Sequence, residues 1–121
     1  MSALAIAALT GLGGVGALAR HFTVVTVAER GGDHFPFGTL AVNLAGSLFV
    51  GLLLGAGVTG TTFTLLAGGL LGSYTTCSAW MADSEGLARE NRPHAAAVNI
   101  FLSLFAGFAA VVIGTVLGGL V

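Results

Sequence analysis

A polar, glycine-started tract, Gly72-Ser73-Tyr74-Thr75-Thr76-Cys77-Ser78-Ala79-Trp80, interrupts a hydrophobic run that is otherwise long enough to cross a bilayer. In hydrocarbon each unpaired backbone amide or carbonyl costs several kcal/mol. A helix break at this depth survives only where protein or a water-lined path receives its polar groups. The tract therefore marks the functional centre of the chain.

The remaining sequence leaves no soluble alternative. Its 121 residues are 55% hydrophobic and 7% charged, with a mean hydropathy of +0.99, which is too little polar material to cover a soluble core. A membrane span needs about 20 mostly apolar residues, which divides the chain into four helices at about 3–26, 37–57, 61–82 and 95–119, forming one all-α membrane domain. A barrel would need shorter segments of alternating polarity, whereas Ala41 to Leu54 and Ile100 to Leu117 are apolar almost throughout. The first run is too long for a cleaved signal peptide, lacks a basic start and continues through Gly13, Gly14 and Gly16 to Arg20.

The charged residues fall in two clusters, Arg20, Glu29, Arg30 and Asp33, then Asp83, Glu85, Arg89, Glu90 and Arg92. Four spans put both clusters on one side, and both termini with the Val58-Thr59-Gly60 turn on the other. All four arginines lie on the clustered side and the chain has no lysine. The positive-inside rule makes that side cytoplasmic and leaves both termini outside.

The 20 glycines suit close helix packing, because two backbones without intervening side chains gain dispersion contacts that lipid does not better. Gly46, Gly51 and Gly55 mark the second span, and Gly68, Gly69 and Gly72 lead into the tract. A single four-helix unit of this size seldom encloses a pore, which points to an oligomer. Gly31-Gly32-Asp33-His34-Phe35-Pro36 is a loop signal with Pro36 at the start of the second helix, and Asn91-Arg92-Pro93 serves the fourth in the same way. The lone Cys77 has no internal disulfide partner, and no Cys or His spacing resembles a metal site.

Few residues can carry chemistry. Asn43 places a side-chain amide inside the second span, where it either joins two helices or meets a permeating species, and Thr39 stands one turn earlier on the same face. The tract offers hydroxyls from Thr75, Thr76 and Ser78, the Cys77 thiol and the Trp80 indole N–H. Unwinding from Gly72 to Thr75 would free carbonyls to ligate a hard cation; alternatively these hydroxyls bond back to carbonyls one turn earlier in an intact helix. Asn99 and Ser103 form a second short stripe on the fourth span, open to a packing role. No acidic residue lies in the body of any span, so a proton-coupled carrier lacks its titratable group, and a small multidrug-type antiporter lacks its first-span glutamate. With no nucleophile–base pair, phosphate loop or basic nucleic-acid patch, the chain does not read as an enzyme or a nucleic-acid binder.

Three segments together resemble the small fluoride channels of the Fluc/CrcB family. Gly13-Gly14-Val15-Gly16-Ala17-Leu18-Ala19-Arg20 is similar to that family's glycine-rich first helix. Phe37-Gly38-Thr39-Leu40-Ala41-Val42-Asn43-Leu44-Ala45-Gly46-Ser47-Leu48-Phe49 resembles its G-T-x-x-x-N-x-x-G-S signature, and the polar tract resembles its G-x-x-T-T-F-S-x-F break. The resemblance implies an antiparallel dual-topology dimer in a prokaryotic cell membrane, with two fluoride pores and a central structural sodium ion. It implies a fluoride pathway along Asn43, Thr39, Cys77, Ser78, Trp80 and Ser103, sodium on the backbone carbonyls of Gly72 and Thr75, and a carboxylate, Asp83, near the pore mouth. Two phenylalanines that line the family's pores correspond to Cys77 and Trp80. That departure and the one-sided arginines favour a subunit of fixed orientation paired with an oppositely inserted homologue, rather than with itself. They also raise the alternative of a poorly conducting or non-conducting partner subunit.

Overall fold

The computed structural model describes residues 1–32 and 34–121. Asp33, counted above in the first charged cluster and its loop signal, lies outside the described residues. The described chain is all-helical: α1 (Ala3–Gly31), α2 (Phe37–Gly55), α3 (Gly60–Phe63), a π-helical segment (Thr64–Leu71), α4 (Gly72–Tyr74), α5 (Cys77–Arg89) and α6 (Pro93–Gly118). Of these, α1, α2 and α6 are long and apolar enough to cross a membrane. The expected third span is helical from residue 60 to 74, breaks, and resumes as α5, so no single helix there meets that length.

Several ends differ from the hydropathy boundaries, because hydropathy locates the bilayer rather than the helix. α1 continues past residue 26 through the helix-compatible Val27-Ala28-Glu29-Arg30 and stops at Gly32, whose φ of 75° turns the chain and whose N–H bonds the Ala28 carbonyl at 2.9 Å. At 1.5 Å per residue this helix is roughly 43 Å long. That exceeds the roughly 30 Å of a bilayer's hydrocarbon core. α5 likewise runs seven residues past 82 on a charged last stretch, with Glu85 and Arg89 paired one turn apart at 2.8 Å. Pro93 opens α6, where its missing N–H costs nothing, two residues before the expected start. The turn expected at Val58-Thr59-Gly60 begins earlier, at the α2 end, with Gly57 at φ 77°.

Glycine surfaces hold the helices together. The most extensive contact joins α2 to α6. There Gly51 and Gly55 interleave with Gly114 and Gly118; a methyl on any of the four would strike a backbone carbonyl of the facing helix. Both pairs have the four-residue spacing that lets two helix backbones touch. α1 meets the π-helical segment and α4 at Gly16, whose missing side chain admits the Leu70 carbonyl and the Ser73 hydroxyl. Buried apolar side chains are few, Val42, Leu71, Leu87 and Ala96, while Phe22, Phe101, Phe105 and Phe108 are exposed. Such broad apolar exposure suits lipid or a second subunit as solvent, not water.

Candidate functional site

The break falls at Thr75-Thr76. Thr75 (φ −82°, ψ 162°) and Thr76 (φ −150°, ψ 126°) are extended, whereas Gly72 (φ −62°, ψ −34°) keeps ordinary helical geometry. Unwinding therefore begins later than the Gly72 to Thr75 expectation, because hydroxyl chemistry rather than glycine freedom ends the helix. The Thr76 hydroxyl accepts from the Ala79 amide at 3.1 Å and caps α5, which fixes an extended residue in front of that helix.

Asn43 supplies the partner that an extended residue in a hydrophobic run requires. Its Nδ2 donates to the Thr76 carbonyl at 2.8 Å, and its Oδ1 accepts from the Thr76 amide at 2.8 Å. The side-chain amide thus stands in for a neighbouring backbone and satisfies both polar groups of Thr76. One Nδ2–H remains for another acceptor. Opposite it, the Thr75 methyl fills the space left by Gly46, so a bare glycine on α2 lets the break come close.

Diverting the Thr76 amide to Asn43 has a second effect. In a continuous helix that amide would bond the Gly72 carbonyl. Among the described residues no donor reaches the carbonyls of Gly72, Ser73, Tyr74 or Thr75. The diversion frees the Gly72 carbonyl although Gly72 itself never unwinds, and the break, with the Ala79 amide turned to the Thr76 hydroxyl, leaves the other three without donors.

An open groove of about 500 Å³ runs along this region. It is lined by Asn43, Thr75, Cys77, Trp80 and Ser103, together with Ser47, Gly46 and Phe108. Four residues expected on the ion path, Asn43, Cys77, Trp80 and Ser103, therefore share one surface. Their chemistry differs from the sequence reading in one respect: the Trp80 indole N–H is not free, since it donates to the Asn99 carbonyl at 3.1 Å. The ring remains on the lining. Ser103 is the opposite case, with a buried hydroxyl that has no hydrogen-bond partner. Ser47, not singled out from sequence, also reaches the lining; its place four residues after Asn43 was the available signal.

Thr39, Ser78 and Gly72 lie off this groove. Thr39 is buried and donates to the Asp83 carboxylate at 2.7 Å, in a second cavity of about 330 Å³ that also contains Glu90. One turn thus separates two polar residues that serve different cavities. Ser78 is exposed, 3.3 Å from the Thr76 hydroxyl. Asn99, 1% exposed, takes a packing role: it donates to Ser84 at 2.9 Å, and Ser84 donates to the Trp80 carbonyl at 2.9 Å.

Comparison with known proteins places this geometry. Residues 6–115 match the family model described as CrcB-like protein, Camphor Resistance (CrcB). The chain belongs to the CrcB-like family. Among its relatives is "Fluoride-specific ion channel FluC 2" of Mycolicibacterium paratuberculosis, 39% identical over 110 residues that cover 91% of this chain and 90% of the relative. "Fluoride-specific ion channel FluC 1" of Symbiobacterium thermophilum is 41% identical over 113 residues, covering 88% and 90%. "Fluoride-specific ion channel FluC 2" of Haloarcula marismortui is 41% identical over 100 residues, covering 82% of each chain. The family match spans α1 through most of α6, including the groove and the break.

Proposed function

We propose that this protein is a subunit of a fluoride-selective channel that lets fluoride leave the cell passively. The observation that carries the reading is the convergence of Asn43, Cys77, Trp80 and Ser103 on one groove beside a broken helix, with the Ser103 hydroxyl unpartnered. Fluoride is small and strongly hydrated, so a pore must replace its water with focused donors. The groove offers the remaining Asn43 N–H, the Ser103 hydroxyl, the Cys77 thiol and the positive edges of the Trp80 and Phe108 rings. Chloride, larger and softer, gains less from so narrow an array. Family membership and relatives named as fluoride-specific channels support the same reading.

In this reading the chain crosses the membrane four times, the third crossing being the broken run from Gly60 into α5, and two subunits pair antiparallel across their open grooves. The released carbonyls of Gly72 and Thr75 fit a hard monovalent cation. Sodium bound there would be held by carbonyls of both subunits and would supply structural charge between them. The one-sided arginines set both termini outside and favour an oppositely inserted homologue as partner.

A second reading, a poorly conducting or non-conducting partner subunit, is favoured by the groove wall itself: Cys77 provides no ring, and the Trp80 N–H is already spent. Fluoride efflux from liposomes separates the two. Efflux with the purified protein alone, or a rise in flux per dimer when it is mixed with a homologous subunit, supports the channel. Conduction in the mixture that matches only the homologue's own pores supports the partner reading.

A further inference from the structure

We propose that Trp80 is a positioning residue: its indole N–H occupies the Asn99 carbonyl and thereby keeps the Ser103 hydroxyl free to donate into the groove. The inference rests on the channel reading above. It begins from a contrast among the hydroxyls. Seven of them, from Thr10 in α1 to Thr115 in α6, donate to the carbonyl four residues earlier. This is the default for Ser and Thr in an apolar helix, where no water competes.

Thr26, Ser47 and Ser103 make no such bond, but of these only Ser103 has a hydroxyl that is buried and without a partner. The carbonyl four residues earlier belongs to Asn99. One of that oxygen's two lone pairs serves the Ser103 amide in the α-helical ladder, and the other receives Trp80 Nε1 at 3.1 Å. No acceptor capacity is left for the hydroxyl. Trp80 is held to the task from both ends, since its own carbonyl accepts from Ser84, which accepts in turn from Asn99. The result is a closed ring of Trp80, Ser84 and Asn99, which leaves the Ser103 hydroxyl on the groove lining without a partner.

A phenylalanine at position 80 keeps the ring edge but has no N–H. The Asn99 carbonyl would then be open, and the Ser103 hydroxyl would return to it as those seven do. The donor lost to the groove is worth about one neutral hydrogen bond, roughly a fivefold change in rate. Trp80 therefore compensates for its missing free N–H by releasing a hydroxyl instead.

The test joins spectroscopy to flux. Trp80 is the single tryptophan of the chain, so the resonance Raman marker for indole N–H bonding reads this contact alone. A bonded indole is expected; a free one overturns the proposal. In liposome efflux, Ser103→Ala in the wild-type background lowers fluoride flux about fivefold, and Trp80→Phe does the same. In the Trp80→Phe background, Ser103→Ala costs less than about twofold more, because the hydroxyl has already left the groove. Replacing Trp80 with benzothienylalanine, which keeps the bicyclic shape without the N–H, reproduces Trp80→Phe and guards against a packing effect. Equal penalties for Ser103→Ala in both backgrounds overturn the proposal while the channel reading stands. A wild-type chain that passes no fluoride, alone or with an oppositely inserted homologue, overturns both.

Discussion

At the scale of the residue, Asn43 has two tasks that sequence alone leaves as alternatives. It joins α2 to the broken helix through both polar groups of Thr76, and it lines the groove with a donor to spare. Asn43→Leu removes all three interactions. The stranded Thr76 amide and carbonyl each cost about 1–3 kcal/mol, so thermal unfolding in detergent shifts downward as fluoride flux is lost. Flux lost with unchanged stability would show that Asn43 does not hold the break. Helix joining was one of the two readings open from sequence, but its partner lay beyond a local reading, because Asn43 and Thr76 are 33 residues apart and nothing in either segment names the other. Trp80 is similar: its N–H reads from sequence as a free donor, and only the path of α6 shows that Asn99 takes it.

At the scale of the element, glycines that look alike in sequence divide into those that meet a backbone and those that do not. Gly118→Ala drives a methyl into the Leu52 carbonyl, which destabilises the α2–α6 pair by about 1–3 kcal/mol. At Gly72 the backbone is already helical, and a methyl meets nothing closer than the Ala67 carbonyl at 3.4 Å. Gly72→Ala therefore leaves the subunit's own stability within about 0.5 kcal/mol of wild type, and paired melting curves in detergent check the contrast. The apolar runs that give α1, α2 and α6 were legible from hydropathy. So was the existence of a break. Its position was not, since Thr75 and Thr76 differ from Gly72 in their hydrogen-bond partners rather than in polarity. The charged extension of α5 was hidden for the converse reason: Asp83 to Arg89 is too polar for a span yet entirely suited to a helix.

At the scale of the whole molecule, two expectations concern how subunits sit and pair. C-terminal reporter fusions active on opposite sides of the membrane should signal only from outside, on the strength of the four arginines. Equal signals from both sides would indicate dual insertion and remove the argument for a heteromeric partner. If the released carbonyls of Gly72 and Thr75 hold sodium between subunits, replacing it with a bulky organic cation lowers dimer stability and fluoride flux together. Sedimentation and efflux in sodium-free buffer check this; persistence of both properties would exclude the central ion.

The bond between Asn43 and Thr76 also has a direction in time. A ribosome makes α2 before the broken segment, and membrane chains are assembled in that order. When Thr76 reaches the bilayer, the side-chain amide that receives both of its backbone polar groups is already there. Order of synthesis thus protects the most vulnerable stretch of the chain, and a circular permutant that made α2 last would send that stretch into lipid unaccompanied.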